Sequence, residues 1–220
     1  SVTQICCDDV LYENVIFHYD GGRSAPLDAI FGAKPLMYAY QQNARTKFRN
    51  CTFWRGPNAP AGTLLHILGA ANTIVSGTIP DTIGYTSRRP SNFVFDGCYG
   101  YNASQSSVGQ IIDCAGLLFT NGNVFEMNRA ALDGASNTAF SLGGINHDMT
   151  DVSVTPGGLR LVSSGAAKWY YGLSFGFSTT VARKSRNVSI VGLDYGDGLS
   201  TSYAYAAGVA FDLSAGALAA

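Results

Sequence analysis

Two carboxylates and an imidazole in this chain stand where side chains could do acid–base chemistry: Asp113, Glu126 and His66. Asp113 lies within the apolar segment Gln110-Ile-Ile-Asp-Cys-Ala-Gly116, and His66 holds the matching place in Thr63-Leu-Leu-His-Ile-Leu-Gly69. Either could be an outward functional group or the polar face of an alternating strand. Glu126 follows Val124-Phe125 and precedes a long loop, a position suited to lining a groove or to a solvated surface. Two carboxyl groups about 5–5.5 Å apart suit retaining glycoside hydrolysis, and about 6.5–9.5 Å suits inversion. Aromatic rings that could stack on sugars are Trp54, Tyr99, Tyr101, Trp169, Tyr170 and Tyr171. The alternative for these is packing between subunits or under loops.

The chain has fifteen acids, and most of the others have structural readings. Asp20, Asp28, Asp81 and Asp133 lie beside Gly, Pro or Ala in turn-like contexts, and His147-Asp148 opens a coil. Glu13 and Arg49 should stack as a surface ion pair. Asp194-Tyr-Gly-Asp197-Gly resembles part of a calcium loop but lacks the later acidic ligand, so no metal and no cofactor is expected. Nucleophile elbows, zinc-protease helices and phosphate loops are absent from the sequence. Five cysteines (Cys6, Cys7, Cys51, Cys98 and Cys114) without C-x-x-C spacing read as small buried hydrophobes in a reducing compartment.

The elements that must position these residues follow from a repeat. An apolar residue, any residue, Asn/Asp/Ser, a small or β-branched residue, any residue and a final apolar residue recur along the chain. The copies are Tyr12–Phe17, Phe48–Phe53, Ile74–Ile79, Val94–Tyr99, Phe119–Val124, Met149–Val154 and, with a polar first member, Ser185–Ile190. Their polar members are Asn14, Asn50, Ser76, Asp96, Asn121, Asp151 and Asn187. The spacings, from 20 to 36 residues, are too uneven for a propeller or helical repeat, but a β-solenoid tolerates them. The last position (Phe17, Phe53, Ile79, Tyr99, Val124, Val154, Ile190) should point inward. The one before it (Ile16, Thr52, Thr78, Cys98, Asn123, Ser153, Ser189) should point outward. The polar position marks a bend between strands.

Each coil also has a second apolar strand, filled elsewhere by Met37–Tyr40 and Trp169–Phe177. A coil around Ser76 should separate His66 from Asp113 by two coils. Asp20–Pro35, Tyr101–Gly109, Arg129–Thr138 and Gly157–Lys168 read as loops.

The expected fold is therefore all-β, a right-handed parallel β-helix of about seven coils over residues 1–200. An Ala-rich cap or subunit-contact segment follows over 201–220. A β-sandwich does not explain the recurring bend with its apolar flanks.

The stacked Asn/Asp column resembles the internal asparagine ladder of parallel β-helix proteins such as pectate lyases and phage tailspikes. With 13% charged residues, net charge −1, 26 glycines and no leader-like start, the chain is more similar to a phage virion protein. That resemblance implies a homotrimer, folded in host cytoplasm, that binds and in some cases cleaves host surface polysaccharide. The alternatives are a non-catalytic capsid decoration or spike module that contacts other virion proteins, and a bacterial polysaccharide lyase or hydrolase fragment. Neither nucleic acid nor membrane is expected as partner, given the charge and the want of an apolar run of about 20 residues.

Overall fold

The computed structural model describes residues 2–5, 7–21, 35–40, 43–68, 89–104, 107–130, 138–144, 147–176, 184–196 and 207–211. Among them the chain is all-β, with no helix and with parallel pairing between all its strands. In chain order the strands are β1 (Val2–Ile5), β2 (Leu11–Glu13), β3 (Ile16–Tyr19), β4 (Met37–Tyr40), β5 (Lys47–Arg49) and β6 (Thr52–Arg55). Then follow β7 (Leu65–Leu68), β8 (Ser91–Asp96), β9 (Tyr99–Asn102), β10 (Gly109–Ile112), β11 (Ala115–Thr120) and β12 (Asn123–Met127). The last are β13 (Thr138–Gly143), β14 (Met149–Val154), β15 (Leu159–Ser163), β16 (Tyr171–Phe175), β17 (Ser185–Ile190) and β18 (Ala207–Phe211).

Every third strand returns to the same sheet up to β17, and β18 then rejoins the first sheet. The first sheet runs β1-β4-β7-β10-β13-β16-β18, the second β2-β5-β8-β11-β14-β17 and the third β3-β6-β9-β12-β15. This cyclic order is consistent with a β-solenoid, in which each pass through the three sheets is one coil. The Met37–Tyr40 strand and the strand within Trp169–Phe177 do share one sheet, as their composition predicts. Within residues 201–220, β18 pairs with β16.

One core cluster draws on all three sheets. Inside the second sheet, Tyr12, Phe48, Phe95 and Phe119 stack in line, with centroids 5.1, 5.1 and 5.2 Å apart and planes within 14°. Phe17 stacks on Phe53 in the third sheet at 4.9 Å. Each such ring pair contributes about 0.5–1.5 kcal/mol beyond its area burial.

Left-handed backbone accumulates at both ends of the second sheet. Asp9, Arg45, Asn92, Asp151, Asn187 and Gly116 have positive φ near its start. Asn14, Asn50, Gly97, Asn121, Gly122, Gly157 and Gly192 do so beyond its end. A bend that needs this conformation selects Gly, Asn and Asp, which explains the recurring polar position.

The sequence-derived register is corrected in four places. First, β5 pairs directly with β8 and β7 with β10, so no coil intervenes there; Ser76 and Ile74–Ile79 lie outside the described residues. Second, the bend residue of the third coil is Gly97, since Asp96 pairs with Arg49 and Thr120. Third, Met149–Val154 pairs with the strand before Asn121, not with Phe119–Val124: Val152 faces Leu117, and Asp151 belongs to the column of Gly116. Fourth, Leu159–Ser163, read as loop, is a strand whose Leu159, Leu161 and Ser163 alternate inward.

The ladder is also not internal along its length. Asn121 Nδ2 donates to Asp96 Oδ1 at 2.7 Å and Asn187 Nδ2 to Asp151 Oδ1 at 3.0 Å, but Asn121, Asp151 and Asn187 are exposed. The buried column at that corner is Cys51, Cys98 and Asn123. Cys98 and Asn123 therefore point inward, against expectation, and Tyr99 and Val124 outward.

Candidate functional site

The outward positions of the third sheet form two columns. One is His18, Trp54, Tyr101, Glu126 and Val162; the other is Ile16, Thr52, Tyr99, Val124 and Arg160. They arise because Phe17, Phe53, Gly100, Phe125 and Leu161 take the inward positions between them. Strand alternation then turns every flanking residue to solvent.

In the first column the rings stack on one another. His18 lies on Trp54 with centroids 4.5 Å apart and planes within 5°. Trp54 lies on Tyr101 at 5.5 Å and 10°. Glu126 succeeds Tyr101 in the next coil. The Tyr99 hydroxyl donates to Glu126 Oε2 at 2.6 Å, and the Ser164 hydroxyl donates to Oε1. Desolvation and the adjacent Glu126 carboxylate push the Tyr99 phenol above its ordinary range, so it stays protonated and donates.

Four of the sequence-derived candidates, Trp54, Tyr99, Tyr101 and Glu126, thus meet on one face. His18 completes the row; its alternation with Phe17 and its register with Trp54 were the available signals. Beside it Val2, Val15, Ile16, Phe17, His18 and Leu36 line an open apolar hollow of about 210 Å³.

The other candidates lie elsewhere. Asp113 is not an outward mid-strand residue: it follows β10 with φ +61°, is 1% exposed, and accepts the His147 N–H at 3.1 Å. It is a buried corner carboxylate that organises backbone. His66, half-buried on the first sheet, faces Gln110 and not the Asp113 position. Burial lowers its pKa to about 4, which leaves a neutral imidazole at pH 7. Trp169, expected at the surface, is fully buried in the core. Tyr171 is half-buried on the first sheet, opposite Thr138 and Ala207.

The remaining described acids serve structure. Asp20 accepts the Asn58 backbone N–H at 3.2 Å and Asp148 that of Lys184 at 3.0 Å. Asp194 pairs with Arg160 at 3.2 Å, and Glu13 with Arg49 at 2.9 Å. Asp28, Asp81, Asp133 and Asp197 lie outside the described residues. Among the described residues no group of three potential ligands could hold a metal ion, and no helix is long and apolar enough to cross a membrane.

Glu126 has Tyr101 and Val162 as its column neighbours. Two-carboxylate glycoside hydrolysis needs a second acid within about 9.5 Å, and neither adjacent coil supplies one in register. The face is equipped for hydrogen bonding and ring contact. Compared with known protein families, curated proteins and solved structures, the chain matches none of them.

Proposed function

We propose that the chain is a right-handed parallel β-helix of the tailspike or tail-fibre kind, a virion protein whose third-sheet face binds host surface polysaccharide without cleaving it. The handedness rests on the near-universal right-handed crossover between parallel strands of one sheet. The observation that carries the binding reading is the outward row His18, Trp54, Tyr101 and Glu126, with Tyr99 and Ser164 on the carboxylate. It repeats at the coil spacing of about 4.8 Å, the arrangement an extended polymer can follow. The virion assignment rests on analogy of architecture, on the low charge and on the unbridged Cys51, Cys98 and Cys114. A parallel homotrimer is the assembly that analogy implies.

The stacked rings spend their faces on each other. Trp54 and Tyr101 therefore offer edges, and recognition runs through hydrogen bonds to sugar hydroxyls more than through ring stacking. The same observation favours a second reading, a non-catalytic spike module in which this face packs against another virion protein.

The chain has two tryptophans, and only Trp54 is at the surface. Titrating purified host lipopolysaccharides and capsular polysaccharides should quench Trp54 emission, with no change in Trp54→Phe and at least tenfold weaker binding in Glu126→Gln. A panel that leaves the emission unchanged and is not retained by the immobilised chain sinks the binding reading. New reducing ends that vanish in Glu126→Gln would replace binding with cleavage.

A further inference from the structure

Cys51 and Cys98 occupy equivalent places in neighbouring coils. Arg49 pairs with Asp96 and Thr52 with Tyr99, leaving two residues between the paired positions on each strand. Cys51 therefore faces Cys98 across the corner, and each is 1% exposed. Adjacent strands stand about 4.8 Å apart, inside the 4.4–6.8 Å Cα separation of disulfides. The Tyr99 N–H donates to the Cys51 carbonyl at 2.9 Å, which holds the two corners against each other. The next residue in this column is Asn123, so the corner holds two sulfurs with no third thiol in line.

We propose that Cys51 and Cys98 form a peroxide-sensitive dithiol, with Cys51 as the attacking sulfur and Cys98 as the resolving one, which closes to a disulfide that staples two coils.

The asymmetry follows from this placement. The neighbouring Cys98 thiol holds the Cys51 thiol below its ordinary range, while the Cys51 thiol and burial push Cys98 up. The Cys51 thiolate attacks one oxygen of hydrogen peroxide; the O–O bond breaks, leaving Cys51–SOH and hydroxide, which on protonation is water. The Cys98 sulfur then attacks the sulfenic sulfur, the S–O bond breaks, and a second water leaves. Two thiols and one peroxide give one disulfide and two waters, with two electrons passing from sulfur to peroxide. Peroxide is small enough to reach a buried corner through brief local opening, so the reaction is slow in the folded state. At present Cys51 Sγ donates to the Tyr12 carbonyl at 3.3 Å and Cys98 Sγ to that of Phe48 at 3.4 Å. Thiols are weak donors, so losing these contacts costs little.

The whole chain is incubated with millimolar H2O2, blocked with iodoacetamide in denaturant, digested with trypsin and analysed by mass spectrometry. Cleavage after Arg55 and Arg88 separates the two cysteines unless they are linked. The expected product joins the two peptides with loss of two hydrogens, is reversed by dithiothreitol, and raises the thermal midpoint by several degrees. In Cys98→Ser the link vanishes and dimedone labels Cys51, whereas Cys114→Ser keeps the link. Fully alkylated Cys51 and Cys98 after oxidation, or Cys51 sulfinic acid accumulating in the wild type without a link, would overturn the proposal.

Discussion

At the corner between the second and third sheets, Asn123 does with an amide what Cys51 and Cys98 do with thiols. Each reaches back to the carbonyl of an aromatic residue in the preceding coil: Tyr12, Phe48 or Phe95. Asn123 Nδ2 also bonds the Thr120 and Gly158 carbonyls, at 2.9 and 2.7 Å, and Oδ1 accepts the Cys98 N–H at 2.9 Å. Asn123→Ala strips this amide from a fully buried site and should cost about 3 kcal/mol, read as a lower urea midpoint with unchanged slope. Asp96 serves the neighbouring surface. Lys47 Nζ lies 2.5 Å from its carboxylate, Asn121 Nδ2 donates at 2.7 Å, and Arg49 Nε is at 3.5 Å. Lys47 first and then Asn121 hold its pKa below the usual carboxylate value. A depressed folded pKa gives stability that is present above about pH 4 and lost as pH falls through the folded pKa. Thermal midpoints of wild type and Asp96→Asn should therefore differ at pH 6 and converge toward pH 2.

Among the elements, β9 shows how packing sets register. Its inward column reads Phe17, Phe53, Gly100, Phe125 and Leu161, with one small member between large ones. A Cβ on Gly100 would meet Phe125 Cδ1 at 2.2 Å and Leu64 Cδ1 at 3.0 Å. Gly100→Ala should destabilise by about 1–3 kcal/mol through overpacking, measured by chemical unfolding, and Leu64→Ala beside it should recover part of the loss. This glycine also marks where sequence reading fails. Period-2 logic reads Tyr99 as the inward residue because Gly100 has no side chain to declare itself. The strand-bend rhythm was legible, since bends demanding positive φ draw Asn, Asp and Gly. Two such columns bound the second sheet, however, and Asp151 and Asn187 belong to one while Asn14 and Asn50 belong to the other. A motif that fits both corners cannot say which corner it marks. On the third sheet, Trp54 was legible as a surface residue because it follows the inward Phe53, whereas Tyr101 and Glu126, two residues beyond Tyr99 and Val124, were legible only from their places near strand ends. Asp113 was not, because a left-handed aspartate closing a strand has the same neighbours in sequence as one inside it.

For the whole molecule, each strand is paired with at most two others, so stability is close to a sum over neighbouring coils. End coils have one neighbour, and β1, β2 and β3 each stand at the edge of a sheet. Hydrogen exchange should protect amides of β8, β10 and β11 longest and those of β1 to β3 and β18 least; uniform protection would contradict the additive picture. The identical strand order of the three sheets also has a mechanical consequence. The bonds joining one coil to the next run along a common direction, so tension between Val2 and Phe211 meets them in series, and the weakest terminal turn yields first. Where register partners are 36 residues apart, as Asp151 and Asn187 are, each turn peeled away frees that much chain. At about 3.3–3.6 Å per extended residue, such a turn should lengthen the molecule by roughly 120 Å and one like Thr52 to Tyr99 by roughly 160 Å, so that under load it should behave as a ratchet of unequal discrete turns rather than as a single brittle body.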